Sequence, residues 1–123
     1  MISLSDIRKS FDRLEVLRGV SLDVEAGEVM SIVGPSGAGK TTLLHIMGTL
    51  DRPDSGKVSY DGRDLSGLSS NELARFRNSS VGFVFQFHQL LPEFSMIENV
   101  AMPALIGGMR RKEAFARASE LID

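Results

Sequence analysis

The residues whose types and spacing most plainly suit chemistry are Gly34, Pro35, Ser36, Gly37, Ala38, Gly39, Lys40, Thr41 and Thr42. In that order they fit the pattern G-x-x-x-x-G-K-[ST], which at average residue frequencies arises by chance roughly once in a few hundred chains of this length. The spacing suits a polyphosphate. Glycines let the backbone curl so that successive amides point inward as an anion nest. A helix beginning at the end of the loop turns its positive dipole end to the same place. Lys40 then reaches the β- and γ-phosphates, and the Thr41 hydroxyl is a magnesium ligand.

Such a loop needs a strand before it and a helix after it. Residues 29–33, Val-Met-Ser-Ile-Val, form a short apolar run bounded by glycines, which predicts a strand buried on both faces. The helix is predicted over residues 41–50, with Leu43, Leu44, Ile46 and Met47 as apolar contacts, ending near Gly48 before Pro53. Upstream, residues 2–7 alternate loosely and residues 16–24 more cleanly, as half-buried strands do. Asp61-Gly62 marks a hairpin turn between residues 57–60 and 63–65. Ser69 with Glu72, and Ser95 with Glu98, are capping boxes. The first starts a short helix through Arg77, and the second a helix that Pro103 kinks or ends. Residues 81–85 are a second buried-strand candidate. Ala114, Phe115, Ala118, Leu121 and Ile122 share one helical face near the end of the chain. Strands alternating with helices predict an α/β domain.

Bulk properties narrow the class. In 123 residues there is room for one domain. A hydrophobic fraction of 42%, a charged fraction of 24% and a net charge of −2 are those of a globular protein with no bias toward nucleic acid. There is no cysteine, hence no disulfide and no thiolate chemistry. No stretch approaches the ~20 apolar residues that span a bilayer, and residues 1–6 lack the features of a signal peptide. The expectation is a cytosolic chain that meets a membrane only through a partner. His45 and His88 have no ligand spacing, so no metal site is built on them. Arg110-Arg-Lys112 reads as a solvated helix start.

The loop alone is compatible with kinases, GTPases and several ATPase classes. The text around it resembles the start of an ATP-binding-cassette (ABC) transporter ATPase throughout. Leu17-Arg-Gly-Val-Ser-Leu-Asp-Val-Glu-Ala-Gly-Glu28 is similar to that family's lead-in, and Leu50-Asp-Arg-Pro-Asp-Ser-Gly56 to its exit turn. Val81-Gly-Phe-Val-Phe-Gln86 is similar to the strand that ends in the family's Q-loop glutamine. The resemblance gives Gln86 a role toward magnesium, the attacking water and the membrane partner, against an ordinary strand-end amide. Phe11 falls where the family places an aromatic that stacks on adenine; the other reading is a core aromatic between two strands. Phe87-His-Gln-Leu-Leu-Pro-Glu-Phe94, with Glu98-Asn-Val-Ala-Met-Pro103, is most similar to ATPases of lipoprotein-releasing systems, with macrolide-export and cell-division ATPases as near relatives. There the segment meets a coupling helix of the permease. It either forms an exposed docking patch or folds back onto the core.

The resemblance implies a P-loop α/β core with a small antiparallel part from residues 1–28 and 57–65. Residues 1–94 are expected to form the β-subdomain and loop core, and 95–123 the start of a helical subdomain. It implies ATP and Mg2+ as ligands, integral-membrane permease subunits and a second ATPase subunit as partners, and a place on the cytoplasmic face of the inner membrane. It covers the whole chain but about half of a family domain. No apolar run ends in Asp-Glu, and no LSGGQ-like signature or switch histidine occurs. The expectation is therefore binding of Mg-ATP without useful turnover, and a marginal fold. A small-molecule kinase and a non-catalytic binding fragment are the alternative readings.

Overall fold

The computed structural model describes all residues, Met1–Asp123, and they divide into two compact units, Met1–Leu73 and Ala74–Asp123. In the first unit, β1 (Ile2–Phe11), β2 (Leu14–Val24), β3 (Ser55–Tyr60) and β4 (Arg63–Asp64) form an antiparallel sheet in the order β2-β1-β3-β4. The small antiparallel part expected from the sequence is thus present.

The loose alternation of β1 has a structural cause. Leu4 and Ile7 are an odd number of residues apart, so in a regular strand they would face opposite sides. Both are buried, because a bulge at Ser5 and Asp6 resets the phase; Asp6 takes a positive φ of 47°. The Asp6 amide donates to the Ser21 hydroxyl at 2.9 Å. Opposite the bulge, Gly56 of β3 approaches so closely that a Cβ there would lie 2.4 Å from the Asp6 carbonyl oxygen. The β3–β4 turn has Asp61 at φ 48° and Gly62 at φ 80°, the two positive values that a tight hairpin requires.

Helix α1 (Lys40–Met47) is fastened to this sheet at both ends. At its start, Gly39 packs against Val16 and Leu17 of β2; at its end, the Tyr60 hydroxyl donates to the Met47 carbonyl. Burial pushes the Tyr60 phenol above its ordinary pKa, which keeps that donor protonated. Leu43 and Ile46 are buried as expected, but Leu44 is exposed. The helix stops at Gly48, whose amide donates to the Leu44 carbonyl.

The second unit contains most of α2 (Ser70–Ser80), all of α3 (Met96–Ile106) and all of α4 (Arg111–Ile122). Both capping boxes form: Ser69 and Glu72 bond reciprocally at the start of α2, as do Ser95 and Glu98 at the start of α3. Pro103 does not end α3, which runs on to Ile106 and stops at Gly107. α3 and α4 meet through small residues, Ala101 against Ala114 and Ala118, flanked by Val100 and Phe115. Leu121, expected on that face, is exposed. The basic start of α4 is more than a solvated end: the Arg111 guanidinium lies 4.7 Å from the Phe115 ring centroid.

Two expected strands do not form. Residues 29–33 pair with nothing, and Val29 and Val33 are 95% and 87% exposed. Residues 81–85 likewise lie outside any strand, with Val84 fully exposed. Composition gave both runs a strand's character. A strand exists only where a neighbour exchanges backbone hydrogen bonds with it, and no segment of this chain does so.

Candidate functional site

The glycine-rich loop is curled as a phosphate nest requires. Gly37 and Gly39 take φ of 79° and 92°, and the Ala38 amide closes a turn on the Pro35 carbonyl at 3.2 Å. Gly39 immediately precedes α1, so the first-turn amides of that helix open onto the loop. A side chain at Gly39 would be strained by its φ and would press on Val16 at 2.8 Å.

Lys40 folds back inside the curl. Its ammonium donates to the carbonyls of Gly34 at 2.7 Å and Pro35 at 2.6 Å. An ammonium has three hydrogens, so one remains for a ligand while two hold the loop in shape. Phe11, Val16, Ser36, Gly37, Gly39, Lys40, Thr41 and Thr42 line a single cavity of about 390 Å³. That is within the usual range for a small-molecule site.

Phe11 is 49% exposed and lines this cavity together with the loop. Val16 reached the cavity unannounced. Lys9 pairs with Leu17 and Ser10 with Glu15, which leaves Val16 as the extra residue of a bulge in β2. Gln86 is not among the lining residues; it sits at an exposed bend of the second unit. No group of three or more His, Cys, Asp or Glu residues is placed to hold a metal ion.

The second unit carries an exposed apolar segment. In residues 87–94, Phe87 is 74% exposed and Leu90 60%, with Leu91 and Phe94 also exposed, so they do not fold back onto the core. Asn99 of α3 holds this segment. Its Nδ2, with two hydrogens to share, lies within hydrogen-bond distance of the carbonyls of Leu91 at 3.0 Å, Phe94 at 3.1 Å and Ser95 at 3.0 Å, while its Oδ1 accepts from the Leu91 amide at 2.8 Å. Asn99→Ala is expected to lower stability by ~1–2 kcal/mol. It should also speed hydrogen exchange at the Leu91 amide, which Asn99→Asp, keeping an acceptor, leaves protected. Unchanged exchange in Asn99→Ala would mean the segment is held by something else.

Residues 17–123 match the family described as ABC transporter. The chain is 59% identical, over its whole length, to the lipoprotein-releasing system ATP-binding protein LolD of Bacteroides fragilis, and 57% identical over 99% of its length to that of Porphyromonas gingivalis. It spans 57% and 56% of those proteins respectively, so it corresponds to a little over half their length. Among solved structures, the dimeric ABC transporter cassette MJ0796 is similar with a TM-score of 0.88 at 37% identity, covering 98% of this chain and 55% of that one. A post-hydrolysis dimer of the same cassette, bound to ADP and Pi, gives 0.86 at 36%, covering 98% and 55%. With the family matched from Leu17 to Asp123, over most of its length, this chain belongs to the ABC transporter family.

Proposed function

We propose that this chain is the nucleotide-holding part of a transport ATPase that powers lipoprotein release from the inner membrane. The observation that carries the reading is the cavity shared by the loop and Phe11. An aromatic face at one side and a phosphate nest at the other match the two ends of ATP. The base stacks on Phe11, while Gly34, Pro35, Ser36, Gly37, Ala38 and Gly39 wrap the phosphates with their backbone. Lys40 neutralises charge at the outer phosphates, and Thr41 and Thr42 supply first-turn amides. The Thr41 hydroxyl would be the residue to hold a magnesium ion, which would supply charge neutralisation at the phosphates. Gln86 takes a magnesium- and water-sensing role on its sequence neighbourhood. Lipoprotein release is favoured by the relatives' 57–59% identity.

Partners follow from two observations. Exposed residues 87–94 offer an apolar surface to a permease subunit on the cytoplasmic face of the membrane, and no helix of the chain is itself long and apolar enough to cross one. The similar solved cassettes are dimers, which supports a second ATPase subunit as the other partner.

Alone, these 123 residues bind Mg-ATP and do not turn it over, because they hold no Asp-Glu strand to activate water. Calorimetry and phosphate release on the purified chain test this together. The expected result is saturable Mg-ATP binding with phosphate release at background. Release that disappears in Lys40→Ala would contradict the inactive-binder reading, and absence of binding would sink the nucleotide reading itself.

A further inference from the structure

Lys9 lies on β1 two residues before Phe11, and its ammonium sits over the Phe11 ring. Its side chain is only 14% exposed. The ammonium donates to the Arg52 carbonyl at 2.8 Å and to Asp51 at 3.2 Å, with Asp54 at 3.9 Å. It also lies 5.5 Å from the centroid of the Phe11 ring. Two residues apart on β1, Lys9 and Phe11 share a face of the strand. Yet Lys9 does not line the cavity and Phe11 does, which puts the ammonium on the ring from outside the site.

The turn that grips Lys9 is itself bound at both ends. Ser10 donates its amide to Asp54 at 2.7 Å, and Asp54 donates its amide to the Arg8 carbonyl at 2.9 Å. The amides of Leu50 and Asp51 both bond to the His45 carbonyl of α1. One unbroken series of contacts thus joins the Phe11 ring to the helix that begins at the phosphate loop.

We propose that Lys9 is a positioning residue for Phe11. It braces the ring at a set distance from the phosphate loop, so that a bound triphosphate meets its base platform already in place. This rests on the reading of the cavity as an ATP site with the base on Phe11. Flanked by two carboxylates, Lys9 has its charge compensated locally, so it acts through the ring and not by attracting phosphates. A side chain fixed before binding loses less freedom on binding, which is the source of the effect.

The test compares Mg-ATP with Mg-tripolyphosphate, which has the phosphates and no base. Affinities for both are measured by calorimetry on the unaltered chain, Lys9→Met, Lys9→Arg, Phe11→Ala and the Lys9→Met/Phe11→Ala double variant. Circular dichroism melts accompany each. Lys9→Met is expected to weaken Mg-ATP about two- to fivefold and leave tripolyphosphate unchanged. Lys9→Arg should recover most of the loss, and Lys9→Met should add nothing once Phe11 is Ala. If Lys9→Met does not fold, Asp51→Asn loosens the same brace and should show the same selectivity for ATP. Equal weakening of both ligands, losses that multiply in the double variant, or unchanged ATP affinity in Lys9→Met and Asp51→Asn would overturn the proposal. Should Phe11→Ala itself leave Mg-ATP affinity intact while Lys40→Ala destroys it, the error lies in the base site, and the brace falls with it.

Discussion

Lys40→Ala is expected to weaken Mg-ATP binding about 30- to 150-fold, equivalent to ~2–3 kcal/mol. The size of the loss follows from where the ammonium sits. Two of its hydrogens are taken by the Gly34 and Pro35 carbonyls, and the third is left for a phosphate oxygen. Removing the side chain removes a charge-assisted hydrogen bond and the loop's internal tie together. Without ligand the cost is small, because both carbonyls can turn to water; ~1 kcal/mol is the expected size for such exposed bonds. Affinity should therefore fall far more than the melting temperature. A large drop in melting temperature with little change in affinity would make Lys40 a structural tie only. Calorimetry beside a thermal melt of the same preparation checks both.

The largest effect on stability is expected at a residue far from any chemistry. Gly56→Ala should destabilise the first unit by at least ~3 kcal/mol, through two costs that add. Its φ of 97° is poor for any residue with a Cβ, and the new methyl would meet the Ser5 and Asp6 carbonyl oxygens at 2.6 and 2.4 Å. Neither oxygen can yield without undoing the bulge that brings Leu4 and Ile7 to the same buried face. Against a typical total of 5–15 kcal/mol, ~3 kcal/mol is a large share. Gly62→Ala is the matched comparison. Its φ of 80° is also positive, but nothing lies within 4 Å of the added methyl, so it should cost only ~1 kcal/mol. Urea denaturation of the pair separates the two causes. Equal losses would show that backbone conformation alone is responsible and that the bulge has room to relax.

These residues also show where sequence reading succeeds. The loop, the capping boxes at Ser69 and Ser95, the Asp61-Gly62 hairpin and the stop at Gly48 were all legible. Each depends on interactions within a few residues, and local chemistry is written in local order. Residues 29–33 and 81–85 read as buried strands and form none, because pairing is a property of two segments and the sequence of one cannot supply the other. The Asp6 bulge was visible only as an imperfect alternation.

The candidate site divides in the same way. Its loop was spelled out contiguously, whereas Phe11 came only from a family resemblance and Val16 from no signal at all, since a bulge turned it into the cavity. Lys9 and Asn99 were missed because their partners, Asp51 to Asp54 and Leu91 to Ser95, are defined by turns rather than by periodicity. A polar residue on a strand or in a first helical turn looks like surface until the turn that it binds is in place.

On the proposed function, a nucleoside triphosphate sits in the cavity formed by the phosphate loop and Phe11. Amide chemical-shift mapping of the labelled chain during titration with Mg-ATP tests it most directly. Saturable shifts are expected at Gly34 and Ser36 through Thr42, together with Phe11 and Val16, with little change around the separate cavity lined by Ile46, Val58, Leu65 and Leu73. Shifts centred on that second cavity, or none at the loop at saturating Mg-ATP, would contradict it.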